Sequence, residues 1–136
     1  MPGSPGWRRA ARWAAFCFAL LVLAIVVATD RGNLPPAIAA MYGFPWGDKV
    51  GHFLLMGVLA FLVSLALPLR PKHRPWLTIL IVATAISVLV GIEELTQTLF
   101  AARSASWADL GSSYAGIWVF CWLAWLLCRS AKGRAA

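Results

Sequence analysis

Four long apolar stretches, separated by polar or proline-bearing breaks, limit what this chain can become. They run approximately over 13–28, 50–67, 76–100 and 110–128. A helix needs roughly 20 apolar residues to cross a hydrocarbon core of about 30 Å. Each stretch is near that length. The first and second fall a little short, which bilayer thinning or snorkelling flanks accommodate. Backbone polar groups in lipid must be satisfied within the segment, so these stretches are helices. Composition agrees: hydrophobic residues make up 61% of the 136 and charged residues 12%, against about a quarter charged in a soluble domain. The expectation is an all-α integral membrane bundle of four transmembrane helices. Its single domain spans 13–128, with a basic segment at 1–12 and another at 129–136.

The 12 Lys and Arg residues set the orientation. Arg8, Arg9 and Arg12 precede the first stretch; Arg70, Lys72 and Arg74 lie between the second and third; Arg129, Lys132 and Arg134 follow the fourth. Only Arg31, Lys49 and Arg103 fall in the other two breaks. Basic residues concentrate on the cytoplasmic side, so both termini and the middle break are expected there. Trp13, Trp76 and Trp125 would then anchor the inner interface, and Trp46 and Trp107 the outer one. Reporter fusions after Arg70 and after Arg103 should accordingly read opposite sides of the membrane; the same reading from both would refute this topology.

The first stretch also has a signal-peptide layout, basic "WRRAAR" followed by an apolar run and "VVA". That run is long for such a leader, so a retained span is preferred. A short interfacial helix is expected after Pro36. The formal charge of +7 raises nucleic acid as a partner, but the basic residues form short flanks between apolar runs rather than one basic face. No nucleic acid is expected. Cys17, Cys121 and Cys128 have no Cys-x-x-Cys or zinc spacing, so they read as small buried hydrophobes.

All five acidic residues belong to the outer half under this topology. Glu93 lies 17 positions beyond Trp76, about 26 Å along a helix rising roughly 1.5 Å per residue. That places Glu93, Glu94 and Gln97 just inside the outer boundary. Asp48 and Lys49 stand at the mouth of the second span, His52 one turn deeper. Asp109 opens the fourth span, Ser113 one turn in. Asp48 and His52, Glu93 and Gln97, and Asp109 and Ser113 are each four apart, hence on one helix face. Adjacent Glu93 and Glu94 point about 100° apart, so only one need face the centre.

These residues resemble the VanZ-like family of small bacterial membrane proteins. The family pattern opens with Asp-Lys-x-x-His-Phe at a helix entry, and this chain reads "DKVGHF" at 48–53. A Glu-x-x-Gln then ends a later helix, here within "EELTQ" at 93–97. An Arg, an Asp six residues on, and a Gly seven further complete it, here in "RSASWADLGSSYAG" at 103–116. Ser113 stands where the family usually has Asn, and Met56 where a Tyr often follows the His-Phe pair. The match covers about residues 30–128. It implies four helices in a bacterial plasma membrane and an association with low-level resistance to teicoplanin-type glycopeptides. No defined reaction comes with it.

The functional expectation is an outward-facing polar pocket built from Asp48, Lys49, His52, Glu94, Gln97, Arg103, Asp109 and Ser113. Arg103 and His52 could hold a phosphate or carboxylate, for which a guanidinium fork is suited. Glu94 or Asp109 could act as acid or base beside His52. A divalent cation on Asp48, His52, Glu94 and Asp109 is conceivable by ligand type, but no tight ligand motif is present. No metal and no cofactor are expected. The bland alternative is an ion-pair and hydrogen-bond network locking the helices together. Glu93 by itself reads as lipid-interface or loop-facing, Lys49 as a snorkelling anchor.

Three function classes remain open. One is a non-enzymatic membrane protein engaging a lipid-linked cell-wall intermediate or the glycopeptide. Another is an intramembrane enzyme on a lipid-linked phosphate or glycan, and the third a helper subunit of another membrane protein. The first is preferred, because no nucleophile elbow, phosphatase His-Arg signature or paired-Asp protease motif appears.

Overall fold

The computed structural model describes residues 5–33, 36–67, 75–99 and 106–133. Within them the chain is helical: α1 Pro5–Asp30, α2 Pro36–Tyr42, α3 Gly47–Ala66, α4 Pro75–Thr96 with a 3-10 turn at Gln97–Leu99, and α5 Trp107–Gly133. Four of these, all but α2, are long and apolar enough to cross a membrane.

The helices overrun the apolar stretches at several ends. At 26 and 27 residues, α1 and α5 are about 40 Å long at 1.5 Å per residue. Both exceed the hydrocarbon core. Hydropathy marks where lipid begins, whereas intrahelical hydrogen bonding continues through the headgroup layer. Arg8, Arg9 and Arg12 are therefore part of α1. Arg129 lies in the last turns of α5, its guanidinium 5.2 Å from the Trp125 ring, a geometry that favours a cation over an aromatic face. The break carrying Arg70, Lys72, His73 and Arg74 lies outside the described residues, as does Arg134.

Local signals explain the helix ends. After α1, Asn33 N–H donates to Ala28 O at 2.8 Å and Gly32 N–H to Thr29 O at 2.9 Å. These paired bonds form a Schellman stop, with Gly32 supplying the left-handed φ of 70° that such a stop requires. The expected short helix begins at Pro36, whose missing N–H costs nothing at a first helical position. Phe44, Pro45, Trp46 and Gly47 then make a turn closed by Gly47 N–H to Phe44 O at 3.0 Å. Trp46 occupies its third position with φ 68°, which in a turn of this type belongs to glycine. A bulky residue there is strained, by about 1 kcal/mol or more. Trp46→Gly should thus raise the unfolding free energy by about that amount in detergent, where interfacial anchoring contributes little. A fall in stability would show that the indole contributes more than the strain costs.

The bundle is organised around one helix pair. α3 and α5 make the most extensive contact; α1 packs on α3, and α4 packs on α5 and less on α3. Ala60 of α3, Ala83 of α4, and Ile117 and Cys121 of α5 are fully buried, joined by Met56, Val82, Ile86, Val90 and, from α1, Val22. Between membrane helices lipid removes the hydrophobic drive, so close approach of small residues supplies the packing. Gly116 lies against the Phe53 backbone and Gly57 against the Phe120 ring. That ring is edge-on to Phe53 at 5.9 Å and to Phe61 at 6.5 Å. Most large apolar side chains of α1, α4 and α5 outside these contacts face outward, as a lipid-covered surface requires. Cys17 is among the outward-facing residues and Cys128 is half-buried, so only Cys121 is the buried small hydrophobe expected of all three. Its position four residues from Ile117 on the α3-facing side of α5, beside Ala60 and Ser64, accounts for the difference.

Candidate functional site

The helices alternate in direction, so the end of α1, the start of α3, the end of α4 and the start of α5 lie at one end of the bundle. There the polar residues form three linked groups.

In the first, Lys49 Nζ lies 2.6 Å from Asp48 Oδ2 and 3.4 Å from Asp109 Oδ1. One ammonium thus ties the first turn of α3 to the first turn of α5. Both carboxylates sit where a helix N-terminus favours negative charge. Lys49 keeps 27% of its side-chain surface exposed, so its positive end stands at the mouth of the bundle.

One turn deeper, His52 Nδ1 and Ser113 Oγ are 3.3 Å apart. Ser113 has no exposed surface. In composition this is a base beside a hydroxyl, yet a hydroxyl without access cannot meet a substrate, so the pair joins α3 to α5 rather than presenting a nucleophile.

The third group closes the end of α4. Glu94 is 5% exposed and Gln97 3%. Gln97 Nε2 lies 3.0 Å from Glu94 Oε2 and 3.0 Å from each Glu93 oxygen. The other oxygen of Glu94 accepts the Ser106 backbone N–H at 2.6 Å. Ser106 caps α5, its Oγ 3.4 Å from Asp109 N–H. "SWAD" at 106–109 has the spacing of a capping box, in which the acid three residues on returns to the cap's own N–H. Here Glu94 of another helix takes that N–H, which leaves Asp109 for Lys49. Ser106 was not among the expected site residues, although the Ser-x-x-Asp spacing before an apolar run was the signal for it.

Glu93, expected at the lipid interface or facing a loop, is half-buried and lines a cavity of about 130 Å³. Asp48 and His52 of α3 and Thr29 of α1 supply the other polar lining; the remaining wall is largely apolar. Gln97, at i+3 from one glutamate and i+4 from the other, holds both inside the bundle end.

Of the expected set, the structure joins Asp48, Lys49 and Asp109; His52 and Ser113; and Glu94 and Gln97. Arg103 lies outside the described residues. Among the described residues no three His, Cys, Asp or Glu side chains gather as a metal site, so Asp48, His52, Glu94 and Asp109 do not form a ligand set. Several remaining hydroxyls are satisfied within their own helices: Thr29 to Ile25 O at 2.7 Å, Ser64 to Ala60 O at 2.7 Å and Ser112 to Ala108 O at 2.8 Å. Such back-bonding leaves fewer polar groups to be matched inside lipid. No protein-family model, curated protein or solved structure matches this chain. The multi-pass membrane fold and the geometry of its polar end are thus the grounds for a functional reading.

Proposed function

We propose that the chain is a VanZ-like protein of the bacterial plasma membrane, with both termini cytoplasmic. Its polar end engages an anionic group of a lipid-linked or other cell-envelope ligand and so lowers susceptibility to teicoplanin-type glycopeptides. Lys49, His52 and Arg103 supply the positive and hydrogen-bonding groups; Asp48 and Asp109 hold Lys49 in place, and Glu94 with Gln97 sets the start of α5. The observation that carries the reading is the Lys49 bridge. It brings together Asp48 and Asp109, two residues of the family pattern 61 positions apart, while leaving the ammonium partly open at the bundle mouth. The activity is binding rather than catalysis, in keeping with the inaccessible Ser113 hydroxyl beside His52.

Susceptibility testing separates a ligand site from a scaffold. Arg103→Gln should abolish glycopeptide protection while membrane abundance stays at the wild-type level. Lys49→Gln with Asp48→Asn and Asp109→Asn leaves no charge alone in the Asp48–Lys49–Asp109 group and should still fail to protect. A scaffold behaves differently, because what penalises a buried network is a lone charge rather than a balanced loss. Protection by the triple variant, or loss of the Arg103→Gln protein from the membrane, would sink the proposal.

A further inference from the structure

The two ends of the bundle differ in how their charges are balanced. All five Asp and Glu residues belong to helix ends at the polar end. Arg8, Arg9 and Arg12, in the first turns of α1, stand at the opposite end. Asp30, the acid of the same helix, comes 18 residues after Arg12, about 27 Å along the axis. No Asp or Glu of this chain can therefore pair with the three guanidiniums. Among the described residues the ion pairs are those of Lys49, and Arg129, at the same end as Arg12, stands over Trp125. The helix itself adds to the imbalance. α3 and α5 each carry an acid in the first turn, Asp48 and Asp109, whereas α1 carries none. Its N-terminal dipole charge thus adds to that of the arginines.

Position gives the missing anion its form. Arg9, Arg12, Phe16, Leu20 and Leu23 recur at steps of three or four residues and so make one stripe of α1. Both arginines are exposed, and Phe16, Leu20 and Leu23 keep 55%, 50% and 57% of their surface open. The stripe faces away from α3, against which Ala11 and Ala15 pack. From Arg12 to Leu23 the helix rises about 16 Å, roughly half of a hydrocarbon core of about 30 Å. Trp13 follows Arg12 and lies edge-on to Phe16 at 6.1 Å. An indole of this kind marks the interface and sets the guanidiniums at headgroup level. We propose that this stripe holds an anionic phospholipid of the adjoining leaflet. Its phosphate lies between Arg9 and Arg12, with Arg8 beside them, and one acyl chain lies along Phe16, Leu20 and Leu23. A guanidinium fork takes phosphate oxygens in pairs, and the apolar ridge beneath would be left unused by a dissolved anion. The stripe stands at the other end of the bundle from Lys49 and His52. The inference therefore goes beyond the envelope-ligand reading and does not depend on it.

The test uses the purified full chain in phosphatidylcholine nanodiscs doped with spin-labelled phosphatidylglycerol or phosphatidylcholine of matched acyl chains. The fraction of label immobilised on the protein gives the relative association of each lipid. A roughly fivefold preference for phosphatidylglycerol is expected, the size that a basic side chain near an anionic surface supports. Raising the salt from about 0.1 M to about 1 M should remove most of it, because the screening length falls to about 3 Å. Arg9→Gln with Arg12→Gln should reduce the preference to less than half. Arg129→Gln with Lys132→Gln removes the same charge from the same end and should leave most of it, as should Arg31→Gln at the other end. Helix content is read in parallel, and if the Arg9 and Arg12 double variant is unfolded, Arg9→Gln alone decides, with a measurable fall expected. Equal association of the two lipids with the wild-type chain would overturn the inference. So would an equal fall in the two double variants, which would mean diffuse attraction to the whole basic end. Displacement by millimolar inorganic phosphate at constant ionic strength would do the same, by making the guest a free anion. Glycopeptide susceptibility plays no part in this measurement, so either proposal can fail without the other.

Discussion

Gly116→Ala is expected to destabilise the bundle more than a methyl added at Gly57 or Gly111. A Cβ at position 116 would run into the carbonyl and Cα of Phe53. These are backbone atoms of α3 and cannot rotate aside, so α3 and α5 must separate along their principal contact. Overpacking a filled interface costs about 1–3 kcal/mol, and the upper end of that range applies where backbone is the obstacle. Gly57→Ala meets the Phe120 ring, 2.6 Å from where its Cβ would stand. A ring can turn, at an off-rotamer cost of about 0.5–1.5 kcal/mol, so the loss there is smaller. Gly111→Ala meets nothing within 4 Å and should be neutral or favourable, since alanine is the better helix former by about 1 kcal/mol. Unfolding of the three purified variants in mixed micelles checks the order. If Gly116→Ala unfolds no sooner than Gly111→Ala, the close crossing of α3 and α5 is not what holds the bundle.

Loss of Glu94 should free the start of α5. Glu94→Ala removes the acceptor of the part-buried Ser106 N–H and one acceptor of the buried Gln97 amide. An unsatisfied buried donor costs about 1–3 kcal/mol. The unfolding free energy should fall by about that much, and the amides of 106–109 should exchange with solvent markedly faster. Glu94→Gln keeps a carbonyl oxygen for Ser106 and should retain most of the protection. Unchanged exchange in Glu94→Ala would mean that the Ser106 hydroxyl alone caps the helix.

The residues of the candidate site show where sequence reading stops. The i, i+4 spacing of Asp48 and His52 placed both on one side of α3, and both do line one cavity. It could not foresee that Asp48 would reach Asp109 through Lys49 while His52 met Ser113. The two glutamates were separable by angle: Glu94 is the buried one, while Glu93, expected to face outward, is half-buried and also lines the cavity. Burial of one carboxylate did not expel the other, since the Gln97 side chain reaches back to both. Ser106 was overlooked because the capping box is read as a local motif, and its reciprocal bond comes here from a different helix.

What the sequence determined by itself follows from one-dimensional physics. Apolar runs of about 20 residues dictate helices that span a bilayer, and a rise of roughly 1.5 Å per residue puts the acids of several helices at one level. The breaks, with Gly32 and Pro36, mark where helices stop and start. Tertiary structure decided which helices are neighbours and which way each faces. α4 and α5 are apolar nearly all round, so periodicity gives them no inward side. Their rotation is fixed instead by shape, where Gly116 and Gly57 let α5 and α3 close on each other. That approach carries Asp109 to Lys49 and Ser113 to His52, while the cavity is walled by α1 and α3 with Glu93 of α4.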